Sequence, residues 1–133
     1  MSEGESAKPS AFALLGGEAG VRALVDRFYD LMDLEPAYAG IRHLHPSALD
    51  GSRDKLHWFL CGWLGGPDLY QQRFGHTRLR ARHLPYAIGI AERDQWMACM
   101  QQAMQESAVD ASLAEHLAAA FFNTADWMRN RGG

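Results

Sequence analysis

The chain has 133 residues, room for one hydrophobic core and an enclosed small-molecule site but not for two independent cores. Hydrophobic residues make up 47% and charged residues 22%, and the net charge of -3 gives no electrostatic case for nucleic acid as a partner. Met1–Ser10 has no apolar segment of the kind a signal peptide needs, and no stretch suits a membrane span, so a membrane partner is not expected. Residues 1–11 read as a flexible N-terminal tail and 12–133 as the single domain. A short apolar opening ends at Gly16-Gly17. From Glu18, the residues Val21, Leu24, Val25, Phe28, Leu31 and Met32 recur at helical spacing and predict an amphipathic helix that ends before Pro36. The stretch Glu35 to Asp50 mixes Pro, Gly and His and reads as a connection with one or two short turns.

A second helix is expected from about Ser52, with Leu56, Phe59, Leu60, Trp63 and Leu64 as its buried stripe. Gly65-Gly66-Pro67 stops it, a permissive C-cap followed by a residue that cannot continue a helix. The polar stretch from Asp68 to Pro85 carries Arg73, Gly75, Arg78, Arg80 and Arg82, and is predicted to be mostly loop with one short helical turn before Pro85. From Ala91, the pattern Trp96, Met97, Met100, Met104 predicts a third long helix. Ser112-Leu-Ala-Glu115 looks like a capping-box start for a fourth, which carries Leu113, Leu117, Phe121 and Met128. No strand pattern competes, so the fold class is all-α. Cys61 and Cys99 lie far apart without a CxxC pattern, which suits reduced thiols in a cytoplasmic protein.

The segment Arg80-Ala-Arg82-His83-Leu84-Pro85 is what a plain bundle does not need. A histidine on a short, Pro-terminated helical turn flanked by arginines has the chemistry of a haem iron ligand: imidazole coordinates iron and guanidinium pairs with propionates. On spacing alone, a solvated histidine in a basic loop is the stronger reading. A set of motifs in fixed order changes that balance: Gly16-Gly17, Arg27-Phe28-Tyr29, His45-Pro46, Gly65-Gly66-Pro67, Gly75-His76 with Arg78-Leu79-Arg80, Arg82-His83 with Pro85, and Glu92-Arg93-Asp94-Gln95-Trp96. On these the chain resembles the group II truncated haemoglobins over roughly residues 12 to 130. The resemblance implies a truncated globin fold, a two-over-two helical sandwich enclosing haem b, with His83 as the proximal iron ligand and Tyr29, Trp96 and His45 on the distal side.

The same resemblance puts Ser52 at the mouth of the distal pocket, with Gly51 as the alternative, and Leu56 and Phe59 against the porphyrin. Lys55 and Arg82 would be within reach of propionates. An indole only donates and a buried tyrosine hydroxyl needs a partner, so Trp96 and Tyr29 suit an acceptor ligand. Each hydrogen bond to a charged acceptor contributes about 1.5–3 kcal/mol, and each 1.4 kcal/mol is about tenfold in an equilibrium constant. Two such donors favour a ligand that is held and transformed over one that is delivered. Oxygen, nitric oxide and peroxide are the implied ligands, peroxidase-like turnover or nitric oxide dioxygenation the implied chemistry, and a reductase the implied partner.

His45 is a further variable, because a histidine donates, titrates or binds metal, and it suggests ligand affinity that depends on pH near neutrality. His45, or Tyr29 as tyrosinate, is also a candidate iron ligand when no external ligand is present. His43 reads as solvated, and His57, His76 and His116 as structural. Three other readings stay open on the residues alone: oxygen transport or storage, haem-based sensing, and a haem-free helical interaction domain in which Trp58, Trp63, Phe121 and Phe122 serve packing or a partner.

Overall fold

The structure, a computed structural model, describes residues 9–132. The expected tail, residues 1–11, falls mostly outside the described residues, and Ala11 itself begins a helix. Helix α1 (Ala11–Leu14) is capped by Ser10, whose hydroxyl accepts from the Ala13 amide at 3.1 Å. It is tied to the rest of the chain by Phe12 N–H donating to Leu64 O at 3.0 Å. Helix α2 (Gly17–Leu34) buries Val21, Leu24, Val25, Phe28, Tyr29, Leu31 and Met32, the predicted stripe plus Tyr29. After a 3-10 turn at Pro36–Tyr38 and the one-turn helix α3 (Ala39–Arg42), helix α4 runs Asp50–Trp63.

The glycine stop after α4 is present as expected. Gly65 takes a left-handed φ of 100°, and Gly66 N–H closes back on Cys61 O at 2.8 Å. Two expectations fail further on. The stretch 68–85, read as mostly loop with one short helical turn before Pro85, holds that turn as α6 (Leu79–His83) and, beyond expectation, a second helix, α5 (Leu69–Phe74), with Gly75 at φ 76° between them. Helices of five or six residues are too short to show a repeating apolar stripe, so periodicity could not reveal them. The fourth long helix, α8 (Ala111–Trp127), starts at Asp110 and has no capping box at Ser112. The Asp110 carboxylate accepts from Leu113 N–H at 3.1 Å, placing Ser112 inside the first turn and exposed. Helix α7 (Ile90–Glu106) starts one residue before the expected Ala91, where Glu92 Oε1 accepts from Gly89 N–H at 2.7 Å.

All described elements are helical, as the sequence predicts. Helix α2 packs on α4 and on α7, and α7 on α8, which gives two helices laid over two. Phe28, Leu24, Met32, Leu60, Met100 and Met104 fill the centre with almost no exposure. Cys61 and Cys99 are free and buried in the same core, where burial pushes the thiols up to about 11 and about 12. Among the described residues no helix is long and apolar enough to cross a membrane.

Candidate functional site

His83 is the last residue of α6 and is half-buried. Its Nδ1 lies 2.7 Å from Leu79 O, one turn back. A carbonyl only accepts, so Nδ1 carries the proton and Nε2 is left with a free lone pair, the state a metal ligand needs. The chain beyond His83 is held by Asn130. Its Nδ2 donates to Tyr86 O at 2.8 Å and His83 O at 3.3 Å, its Oδ1 accepts from Ile88 N–H at 3.0 Å, and its own N–H donates to Ile88 O at 2.8 Å. One amide side chain thereby fixes the turn between the histidine and α7.

A second group, drawn from α2, the turn after α3, α7 and α8, is an aromatic cluster. The rings of Tyr29 and His45 meet edge to face at 5.6 Å, Phe28 packs on Tyr29 at 5.0 Å and on Trp96 at 5.2 Å, and Trp96 meets Phe121 at 5.5 Å. Tyr29 is 5% exposed, and its hydroxyl has no hydrogen-bond partner among the described residues. Burial pushes its pKa well above the ordinary phenol value, so tyrosinate is not the form this pocket favours. The Trp96 indole N–H donates to no described residue either; its neighbours are the Phe28 and Phe121 rings.

His45 sits just past α3 on a turn pinned from both sides. Arg42 donates to Asp33 Oδ1, Pro46 O and Ser47 O, while Ile41 N–H donates to Gln95 Oε1 of α7 at 3.1 Å. Gly40 permits that approach, since a Cβ there would lie 2.7 Å from Gln95 Oε1. His45 Nδ1 is committed to Ile41 O at 2.8 Å, so the neutral ring turns a lone pair outward and gains a second donor only on protonation. Burial lowers its pKa, the Ile41 hydrogen bond opposes that, and the charges of Arg42 and His83 lower it further.

The remaining candidates lie on α4 and α6. Ser52, Leu56 and Phe59 are half-buried, while Gly51 and Lys55 are exposed at the helix edge. Arg82 is exposed, with its Nε donating to Thr77 O at 2.8 Å. A cavity of about 520 Å³ opens between α4, α6 and α8, lined by Phe59, Trp63, Leu79, Arg80, Ala81 and Trp127 among others. Tyr29, His45 and Trp96 do not line that cavity. Of the other histidines, His43 and His116 are exposed, His76 accepts from Arg78 N–H at 3.0 Å, and His57 is buried beside Cys61 Sγ at 3.9 Å.

Residues 10–130 match the bacterial-like globin family. A group 2 truncated haemoglobin of Bacillus subtilis is 36% identical over 115 residues, 86% of this chain and 85% of that protein. The chain belongs to the group II truncated haemoglobins. Among solved structures, this globin superposes on the cold-adapted truncated haemoglobin of the Antarctic marine bacterium Pseudoalteromonas haloplanktis. The TM-score is 0.90 and the identity 40%, over 92% of this chain and 99% of that one. The group II 2-on-2 haemoglobin of the plant pathogen Agrobacterium tumefaciens gives 0.89 at 43% identity, over 95% and 98%.

A globin implies a haem cofactor, and the residues present fit one. They supply a histidine whose Nδ1 is already committed to a carbonyl and, on other helices, a buried hydroxyl and an indole that lack partners among the described residues. Sequence reading did not find the residues that set these groups in place. Asn130 is 47 residues from His83, Gln95 stands in the Glu92–Trp96 motif without a role, and Gly40, five residues before His45, belongs to no motif; no spacing rule ties any of them to the histidine it supports.

Proposed function

We propose that this globin binds haem b through His83 Nε2 and uses Tyr29, Trp96 and His45 to retain and activate a small ligand on the opposite side. The observation that carries the reading is the buried Tyr29 hydroxyl with no partner among the described residues, since a pocket that leaves a donor unpaired is built to pair it with something that enters. When bound, haem supplies an iron that takes oxygen, nitric oxide or peroxide and exchanges electrons with it.

The chain's own side chains do the rest. Tyr29 donates from its hydroxyl and Trp96 from Nε1, both to the charged end of the ligand. His45 accepts at neutral pH and donates once protonated. Leu56 and Phe59 keep water from the distal face, Ser52, with Gly51 as the alternative, leaves the approach open, and Lys55 and Arg82 pair with propionates.

Two preorganised donors favour retention, and retention favours peroxidase-like turnover or dioxygenation of nitric oxide over transport or storage. A solved relative of Bacillus subtilis, 35% identical with a TM-score of 0.82 over 92% of this chain and all of that one, is described as oxygen-avid, which accords with that direction. Catalytic turnover calls for a reductase, and the reduced cysteines suit the cytoplasm. The test is the visible spectrum of the purified protein beside its His83→Ala variant. A Soret band in the wild type that collapses or shifts to a weakly ligated form in the variant is expected. A colourless wild type, or an unchanged band in the variant, refutes the assignment.

A further inference from the structure

We propose that the α5–α6 face is a docking surface for an acidic protein that donates one electron at a time, through a flavin or an iron–sulfur group. The proposal rests on the haem reading above and adds where the partner sits and what attracts it. From Leu69 to Ala91 the chain has no Asp or Glu, yet Arg73, Arg78, Arg80 and Arg82 all fall there. With the whole chain at -3, the residues outside that segment together carry -7, so charge is separated across the molecule.

The structure sharpens the contrast. Arg22, Arg27, Arg42, Arg53, Arg93 and Arg129 each meet a carboxylate within 3.2 Å. Among the described residues Arg73 of α5, Arg78 just before α6, and Arg80 and Arg82 of α6 meet none, nor does Arg131 near the chain's end. The guanidinium groups of three of them bond to backbone carbonyls, Arg73 to Leu69 O, Arg80 to Trp127 O and Arg129 O, and Arg82 to Thr77 O, while Arg78, exposed, stands at the rim of the cavity between α4, α6 and α8. Such bonds satisfy donors and fix geometry but leave the charge uncancelled.

The face is also rigid and aromatic. Arg73 lies over the Trp58 ring at 4.3 Å and Arg82 over Tyr70 at 5.5 Å, and Phe74, 45% exposed, packs between those two rings. Arginine and aromatic side chains already held in place lose little freedom on association, and these residue types dominate binding at interfaces. A compact acidic patch is drawn to this face and repelled by the negative remainder of the chain, which orients the encounter. An extended polyanion would meet that remainder as well.

The electron-donor assignment follows from position. Helix α6 ends in His83, so a partner seated on it is next to the residue that would hold the iron. One electron passes from the partner's reduced group to ferric iron, giving ferrous iron and the oxidised partner, with no bond made or broken in this chain. Arg82 and Lys55 are assigned to propionates, so the surface stands on Arg73 and Arg78.

The experiment uses haem-loaded protein with flavodoxin, an acidic flavoprotein, as the probe. Binding of oxidised flavodoxin by calorimetry is a redox-silent readout, and reduction of the ferric protein by reduced flavodoxin in stopped flow is the second. Arg73→Glu/Arg78→Glu is expected to weaken binding and slow reduction about tenfold or more at low salt, and to remove most of the salt dependence, the range expected of electrostatic steering. Arg27→Glu, on α2, is the control and leaves both within about twofold. Unaltered reduction of the double variant by a neutral photoreductant shows that its haem site is intact.

No binding by the wild type, or equal binding and rates in the double variant, overturns the proposal. So does Arg73- and Arg78-dependent retention on anionic lipid vesicles without binding of flavodoxin, which would assign the face to a membrane surface. Failure of the haem reading itself is seen separately, as the absence of a Soret band.

Discussion

Replacing Tyr29 by Phe removes one oxygen atom and keeps the ring, its edge-to-face contacts with Phe28 and His45, and the Arg53 guanidinium 5.9 Å above it. The effect then depends on what the hydroxyl does. In the ligand-free protein it is buried and unpaired among the described residues, a condition that costs about 1–3 kcal/mol, so Tyr29→Phe should leave stability unchanged or raise it by about 1 kcal/mol. In the ligand-bound protein the same hydroxyl makes a hydrogen bond to a negatively polarised acceptor worth about 1.5–3 kcal/mol, so its loss accelerates oxygen release roughly 10- to 150-fold. Denaturant unfolding of the ligand-free form and stopped-flow oxygen release from the ferrous form measure the two sides. A release rate within about twofold of wild type would refute the reasoning, because the pocket would then bury a hydroxyl that nothing uses.

Three further outcomes follow from the geometry. Burial lowers the His45 pKa, so its proton is taken up below the usual histidine range, which moves the expected pH dependence from neutrality to the acid side. As pH falls from about 6.5 through the folded value, the unfolded chain binds the proton first and stability declines. Over the same window a second donor appears at Nε2 and oxygen release slows, whereas His45→Phe should flatten the release profile and leave in the stability profile only the decline due to other groups, buried His57 among them. Asn130→Ala removes the side-chain bonds to His83 O, Tyr86 O and Ile88 N–H and should cost about 1–3 kcal/mol. Faster hydrogen exchange at Ile88 would locate that loss, and unchanged exchange there would contradict it. Gly20→Ala places a Cβ 1.7 Å from Leu15 O, a backbone atom that cannot swing aside. Destabilisation of about 3 kcal/mol or more is expected in urea unfolding, and a loss under about 1 kcal/mol would mean that α1 moves freely relative to α2.

How far the sequence could be read depended on the kind of signal each element leaves. Helices α2, α4, α7 and α8 run 14 to 18 residues, so their buried and half-buried apolar residues repeat and the repeat is visible in the chain. Helices α5 and α6 turn once or twice and bury no residue fully, so nothing repeats; Pro85 betrays the turn of α6, while α5 has no such marker and reads as loop. The start of α8 shows a different failure: two acceptors, Asp110 and Ser112, stand two residues apart, each able to cap, and only the fold decides between them. For the site, composition and spacing alone left His83 a surface histidine, and the ordered motifs made it a candidate ligand. The structure adds the local reason it is suited to that role, the bond from Nδ1 to Leu79 O that frees Nε2. That bond is an i to i-4 contact within α6; Pro85 marks the turn that carries His83, but only the folded helix shows which carbonyl its ring meets. The arginines of the same two short helices were legible as residues but not as a surface. What distinguishes Arg73 and Arg78 from Arg53 or Arg93 is the absence of a carboxylate among their described neighbours, a property of the folded arrangement that no linear pattern contains.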